Sequence, residues 1–177
     1  MTPERYDLII VGSGSGNSVI NDEMDGWRIA IVERWTFGGT CLNRGCIPSK
    51  MFVVTADLVQ SVRHAARLGV DAEVRGVDWP AVRDRVFGRI DPIHDQAVRY
   101  RKRSGVEVFQ APARFIGPKT IEVEGEVITA EQFVVAAGSR PILPPIPGLA
   151  DVPVHTSDTI MRLDELPASM LVIGGGF

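Results

Sequence analysis

Apolar residues run almost unbroken through Tyr6-Asp7-Leu8-Ile9-Ile10-Val11, the pattern of a parallel strand buried on both faces. The run leads straight into Gly12-Ser13-Gly14-Ser15-Gly16-Asn17. A second β-rich run, Arg28-Ile29-Ala30-Ile31-Val32, ends at Glu33, about 20 residues after the first glycine, the spacing of a dinucleotide-binding βαβ unit. The helix between them, from Asn17 to about Met24, is expected to be short. Further on, Met51, Val54, Ala56, Leu58, Val62, Ala65, Ala66 and Leu68 predict a helix ending at Gly69. Trp79-Pro80 through Arg103 predicts more helix, interrupted at Asp91-Pro92, with Phe87, Ile90, Ile93, Val98 and Tyr100 facing the core.

From Val106 the period falls to two. Val106-Glu107-Val108-Phe109, Thr120-Ile121-Glu122-Val123 and Val127-Ile128 alternate apolar and polar, with turns at Gly117-Pro118 and Glu124-Gly125, and predict an antiparallel meander. Phe133-Val134-Val135-Ala136-Ala137 is another buried strand, ending in Gly138-Ser139-Arg140-Pro141, where small residues allow close approach to a ligand or simply make a turn. A proline-rich connector from Pro141 to Pro153 leads to Ser157 or Asp158 as a helix cap. Met170-Leu171-Val172-Ile173 predicts a last strand before Gly174-Gly175-Gly176-Phe177. A strand feeding a glycine-rich loop is expected to continue into a helix, so these residues read as the opening of a second dinucleotide unit and the sequence as a fragment. The fold class is α/β, Rossmann-like, with an antiparallel β-meander.

Composition narrows the partners. The 177 residues carry a net charge of −3 and are 45% hydrophobic, ordinary values for one globular domain with a real core. The near balance of 19 basic and 22 acidic side chains argues against nucleic acid or anionic lipid as partner. The one basic cluster, Arg99-Tyr100-Arg101-Lys102-Arg103, reads as a solvated helix end. No apolar run approaches the roughly 18 residues of a membrane helix, and no basic leader precedes the first strand. The expected location is the cytoplasm, a reducing compartment in which cysteines are more often catalytic than structural.

The two cysteines, Cys41 and Cys46, are separated by four residues in Gly38-Gly39-Thr40-Cys41-Leu42-Asn43-Arg44-Gly45-Cys46-Ile47-Pro48-Ser49-Lys50. In a regular helix, residues five positions apart sit about 140° round and about 8.6 Å apart, beyond the roughly 4.4–6.8 Å of a disulfide. If the two bond, the backbone between them leaves regular helix, and Gly45 and Pro48 permit or force that departure. The second thiol would lie near a helix N-terminus, where the dipole favours thiolate. A structural disulfide, half a zinc site and two unrelated buried thiols are the alternatives, though His64, His94 and His155 lack ligand-like spacing. The segment follows Glu33 closely, so a flavin is the natural partner for two-electron exchange. The glycine loop would cradle a pyrophosphate and Glu33 accept from an adenosine ribose. Asn17 stands where the motif expects its third glycine.

The Gly38-to-Lys50 motif, the glycine loop and Ala137-Gly138-Ser139-Arg140-Pro141 resemble the pyridine nucleotide–disulfide oxidoreductases, the flavoprotein family of glutathione reductase, dihydrolipoyl dehydrogenase and mercuric reductase. Gly12-Ser13-Gly14-Ser15-Gly16-Asn17-Ser18, Met51-Phe52-Val53, Ala113-Arg114-Phe115-Ile116-Gly117-Pro118 and Asp158-Thr159-Ile160-Met161-Arg162 resemble its mycothione-reducing branch, in which Asn17 is expected. The resemblance implies an FAD-binding domain of three-layer ββα type over residues 1–167 and the start of an NAD(P)H-binding domain over residues 168–177. It implies that NADPH reduces the flavin and the flavin a Cys41–Cys46 disulfide. Cys46 is then the charge-transfer thiol beside the flavin, Cys41 the interchange thiol that attacks a small-molecule disulfide, mycothione, and Lys50 the residue that tunes the flavin ring or, failing that, a solvent-facing lysine. Gly12, Ser13, Gly14, Ser15, Gly16, Asn17, Glu33, Gly39, Thr40, Ala113, Ala137, Gly138, Ser139 and Arg140 would hold FAD. No metal is implied, and the intact enzyme would be a homodimer whose acid–base histidine none of the three here matches. Dihydrolipoyl dehydrogenase, through Thr40-Cys41-Leu42-Asn43 and Ile47-Pro48-Ser49-Lys50, a glutathione- or mercuric-reductase-like enzyme, and a non-catalytic FAD-binding redox module are the alternatives.

Overall fold

The computed structural model describes residues 3–175. Six strands, β1 (Glu4–Val11), β2 (Ile29–Val32), β3 (Glu107–Phe109), β4 (Ala113–Gly117), β5 (Thr120–Val123) and β6 (Glu126–Val135), form one sheet in the order β3-β2-β1-β6-β5-β4. β1 pairs in parallel with β2 and with β6, and β2 in parallel with β3. β5 pairs antiparallel with β4 and with the first residues of β6. Three helices follow β2 in the chain: α1 (Gly39–Arg44), α2 (Cys46–Arg63) and α3 (Trp79–Arg103).

The alternation of side chains along β1 and β2 splits the core between the two faces of the sheet. Ile9, Ala30 and Val32 point to one face and meet Ile121, Val123 and Ile128 of the meander. Leu8, Ile10, Ile29 and Ile31 point to the other and meet Phe37, Val98 of α3, Val106 and Val108. Ile9, Ile10 and Ile31 are fully buried, each burial contributing about 1.5–3 kcal/mol. A third cluster, Val86, Phe87 and Ile90 of α3 against Leu42, Met51 and Phe52, fixes α1 and α2 onto α3. This is the arrangement expected of the fold class.

Several elements depart from the sequence reading. The short helix expected from Asn17 to Met24 is two 3₁₀ turns, Ser15–Val19 and Asp22–Met24. The side chains of Asn17, Ser18 and Asn21 bond local backbone there, in competition with helix. Residues 106–109 do not join the meander: β3 is a parallel edge strand, and β4 takes its place in the antiparallel part. The two segments expected around Val127 and Phe133 are one strand, β6. α3 runs unbroken through Pro92, which forgoes one backbone bond while Ile90 and Val98, both buried, hold the two halves. Tyr100 is exposed. No helix follows Ser157; a single 3₁₀ turn, Ile160–Arg162, does. Residues 170–173 form no strand and are exposed, because a lone strand has no ladder to join. Gly176 and Phe177 lie outside the described residues. Among the described residues no helix is long and apolar enough to cross a membrane.

Candidate dithiol and nucleotide site

β1 delivers the glycine loop to the carboxyl edge of the parallel strands. The N–H of Gly12 donates to the Val32 carbonyl at 2.8 Å, and a side chain at Gly12 would run into the Ala136 carbonyl just after β6. Ser13 is buried and ties three segments together. Its hydroxyl donates to Glu33 Oε2 at 2.7 Å and accepts from the Gly38 N–H at 2.8 Å, while its own N–H donates to the same Glu33 oxygen at 3.0 Å. Glu33 Oε1 accepts from the Trp35 N–H at 2.9 Å. Asn17 closes the loop: its Nδ2 donates to the carbonyls of Ser13 (2.7 Å) and Gly14 (2.5 Å). The Arg101 guanidinium then donates to the Asn17 carbonyl and side-chain oxygen. Arg101 is therefore more than part of a solvated helix end. Its role was invisible in sequence, 84 residues away from the loop.

The loops after β1 and β6 flank the crevice at the carboxyl edge, where the order of the parallel strands reverses and open α/β sheets bind their ligands. Ser15, Thr40, Ala137, Gly138 and Ser139 are exposed there. Backbone bonding leaves the N–H groups of Gly14 and Ser15 without a protein acceptor among the described residues. These unused donors fit a pyrophosphate. Ala113, half-buried at the start of β4, packs against the core cluster that includes Val32 and Phe109.

The cysteine segment docks on this loop through glycines. Gly38 and Gly39 have φ of +111° and +68°, the left-handed region that glycine enters without strain. A Cβ on Gly39 would lie 2.5 Å from Gly14 Cα, so the two backbones touch. α1 begins there and lasts six residues. Asn43, buried, donates to the carbonyls of Gly39 (2.9 Å), Thr36 and Phe37 (both 3.2 Å), holding α1 to the loop before it. Gly45, at φ −138° and ψ −118°, breaks the helix between the cysteines; a Cβ there would crowd the Thr40 carbonyl at 3.0 Å. Gly45 makes the departure, and Pro48 sits inside the first turn of α2, where its missing N–H costs nothing.

Cys46 is the first residue of α2, and both cysteines are exposed free thiols in this structure rather than a disulfide. They meet across the break. The Cys41 thiol is raised above its ordinary pKa, chiefly by its hydrogen bond to the Cys46 sulfur and secondarily by burial, while the N–H groups of Cys46 and Ile47 pull the other way. Lys50 is exposed one turn beyond Cys46, on the same side of the helix.

A profile described as pyridine nucleotide-disulphide oxidoreductase matches residues 6–177. Mycothione reductase of Mycobacterium tuberculosis is 47% identical over 182 residues, covering 98% of this chain and 39% of that protein. Dihydrolipoyl dehydrogenase of Chlamydia trachomatis is 34% identical, over 98% of this chain and 39% of that protein. Mercuric reductase of Staphylococcus aureus is 32% identical, over 97% and 32%.

The chain belongs to the pyridine nucleotide–disulfide oxidoreductase family.

It spans about two fifths of the length of the mycothione reductase it matches. In this family member a further cluster gathers at the end of α1. The Arg140 guanidinium lies 3.2 Å above the Trp35 ring, with those of Arg34 and Arg44 at 4.4 Å and 4.8 Å. Asp158 joins Arg140 at 3.2 Å and Arg44 at 3.6 Å. Arg140 packs on Trp35 and, with Arg44, ties the chain after β6 to the end of α1. Sequence reasoning did not find Trp35, because stacked guanidinium groups from three separate segments leave no local pattern.

Proposed function

We propose that the chain is the flavin-binding and dithiol portion of an enzyme that uses NADPH to reduce mycothione. Residues 1–167 form its FAD-binding domain and residues 168–177 open its NADPH-binding domain; the whole enzyme is a cytoplasmic homodimer. The observation that carries the reading is the meeting of the Cys41 and Cys46 thiols across the Gly45 break, on a helix docked against the glycine loop. The 47% identity to a mycothione reductase supports the choice of substrate.

FAD would be held by Gly12, Ser13, Gly14, Ser15, Gly16 and Asn17 at the phosphates and by Glu33 at the ribose, with Gly39, Thr40, Ala113, Ala137, Gly138, Ser139 and Arg140 completing its bed. When bound, it relays two electrons between reduced pyridine nucleotide and the dithiol. The chain's own sulfurs do the exchange. Cys41, as thiolate, attacks one sulfur of the substrate disulfide; that bond breaks, one thiolate leaves, and a mixed disulfide forms on Cys41. Cys46 then attacks the Cys41 sulfur, closing the Cys41–Cys46 disulfide and releasing the second thiolate. Two electrons pass from the pair to the substrate, and the two cysteine protons go to the two departing thiolates. The N–H groups of Cys46 and Ile47 favour the Cys41 thiolate, against the larger upward pull of the neighbouring Cys46 thiol. Lys50 places a positive charge one turn beyond Cys46.

The test is NADPH consumption by the intact enzyme with mycothione, lipoamide and glutathione disulfide in parallel. Turnover with mycothione at least tenfold above the other two is expected. Faster turnover with lipoamide would move the protein to dihydrolipoyl dehydrogenase chemistry. Iodoacetamide labelling of the reduced protein should modify Cys41 first; first labelling of Cys46 would reverse the two roles.

A further inference from the structure

His94, in the middle of α3, faces the loop that delivers the dithiol. Its Nδ1 lies 2.6 Å from the N–H of Phe37. A backbone amide only donates, so Nδ1 is the ring nitrogen without a proton, and in the neutral ring Nε2 carries the hydrogen. Nε2 faces Asp95 Oδ1 at 3.6 Å; the Gln110 amide nitrogen, 3.3 Å away, is itself a donor and takes no bond from it in this tautomer. Phe37 is 3% exposed and its ring is locked in the core beside Leu8 and Ile10, so its N–H has little access to water. The same stretch is held by side chains at each step. Thr36 and Phe37 carbonyls take Asn43, the Gly38 N–H takes Ser13, and the Phe37 N–H takes His94. Of these three side chains, His94 is the one whose acceptor atom becomes a donor on gaining a proton.

We propose that neutral His94 is a positioning residue for the dithiol. By accepting from Phe37 it fixes Gly38 and Gly39 against Gly14, and with them α1 and Cys41. Protonation puts a donor at Nδ1 opposite the Phe37 donor, and the loop is released. The proposal rests on the reading of Cys41 and Cys46 as a redox pair. The charged groups around the ring are Asp91 and Asp95 of α3, Arg44 of α1, Asp158 and Arg162 after β6, and Glu124, whose carboxylate accepts from the Gln110 N–H. Arg44, Asp91, Asp158 and Arg162 line a cavity of about 380 Å³ with His94. There Arg162 is paired with Asp91 at 2.6 Å and Arg44 with Asp158 at 3.6 Å, so Asp95 is the carboxylate that meets an imidazolium.

The test uses the ¹⁵N-labelled protein and two variants. His94→Asn keeps an acceptor near the place of Nδ1 without titrating, and His94→Leu removes it. A scalar coupling between the Phe37 amide nitrogen and His94 Nδ1 is expected at high pH, as is its loss over the pH range in which the ring gains its proton. Over the same range, Phe37 amide exchange, corrected for its intrinsic pH dependence, should accelerate about 2- to 13-fold, the worth of one hydrogen bond. It should stay flat in His94→Asn and be fast throughout in His94→Leu. The rate of Cys41 alkylation in the wild type, divided by that in His94→Asn, should change with pH in step. Absence of the coupling, a wild-type exchange profile matching His94→Asn, or alkylation indifferent to both variants would overturn the proposal. If all three readouts follow His94 but oxidation never links Cys41 to Cys46, the positioning role stands and the redox reading fails.

Discussion

Gly39→Ala isolates the contact that seats the dithiol helix on the nucleotide loop. The substitution adds two costs. At φ +68° an L-side chain costs about 1–2 kcal/mol. The new Cβ would also lie 2.5 Å from Gly14 Cα and 3.1 Å from Gly14 N, and such overpacking against backbone costs about 1–3 kcal/mol. The sum, about 2–5 kcal/mol, corresponds to a fall in Tm of roughly 4–20 °C for a chain of this size. Gly26→Ala is the control, since Gly26 has a similar φ of +79° and no atom within 4 Å of an added Cβ. It carries only the dihedral cost, about 2–8 °C. Scanning calorimetry of both variants measures the difference, and FAD titration of Gly39→Ala should show weakened binding even at temperatures where it stays folded. Equal falls in Tm, with FAD affinity unchanged, would mean that Gly14 and Gly39 do not meet as described.

Three further outcomes follow from the same geometry. Asn43→Ala strips a buried donor from three carbonyls and should cost about 2–3 kcal/mol in urea unfolding; a neutral effect would contradict the anchoring of α1. Arg101→Met frees Asn17 and should weaken FAD binding about tenfold, close to the net worth of one charged hydrogen bond, whereas an unchanged Kd would return Arg101 to the solvated helix end. Tyr6 donates to Glu107 at 2.5 Å, and burial and that bond push its phenol up. Its protonated form therefore adds stability that is fully present below the unfolded pKa of about 10 and lost as pH rises above it. The stability gap between wild type and Tyr6→Phe, about 1.5–3 kcal/mol at pH 7, should narrow by about 1.4 kcal/mol at pH 11; a gap independent of pH would refute the assignment.

What the sequence made legible was whatever a short window encodes. β1 and β2 are buried on both faces, so their apolar runs are unambiguous, and the glycine loop and Glu33 follow from spacing. The need for a break between Cys41 and Cys46 follows from helix geometry, and Gly45 supplies it. Errors came where neighbours decide the pattern. β3 alternates because it is an edge strand with Glu107 turned outward to meet Tyr6, which in sequence looks like an antiparallel strand. β6 changes pattern halfway because its first residues pair with β5 and its last with β1 alone. Residues 170–173 have the right composition for a strand and no partner to pair with among the described residues. Arg101, His94 and Trp35 act across long sequence separations or through guanidinium stacking, and neither leaves a period or motif. Asn17 looked like a defect in the glycine motif and is the residue that holds the loop shut.

Adding mycothione to the fully reduced protein and mapping its cysteines by mass spectrometry tests whether Cys41 and Cys46 act as one redox pair. An internal Cys41–Cys46 disulfide, a mass lower by two hydrogens, and two equivalents of thiol released per chain are expected. Two cysteines that stay open to alkylation, or that each keep their own mixed disulfide, would contradict the pairing.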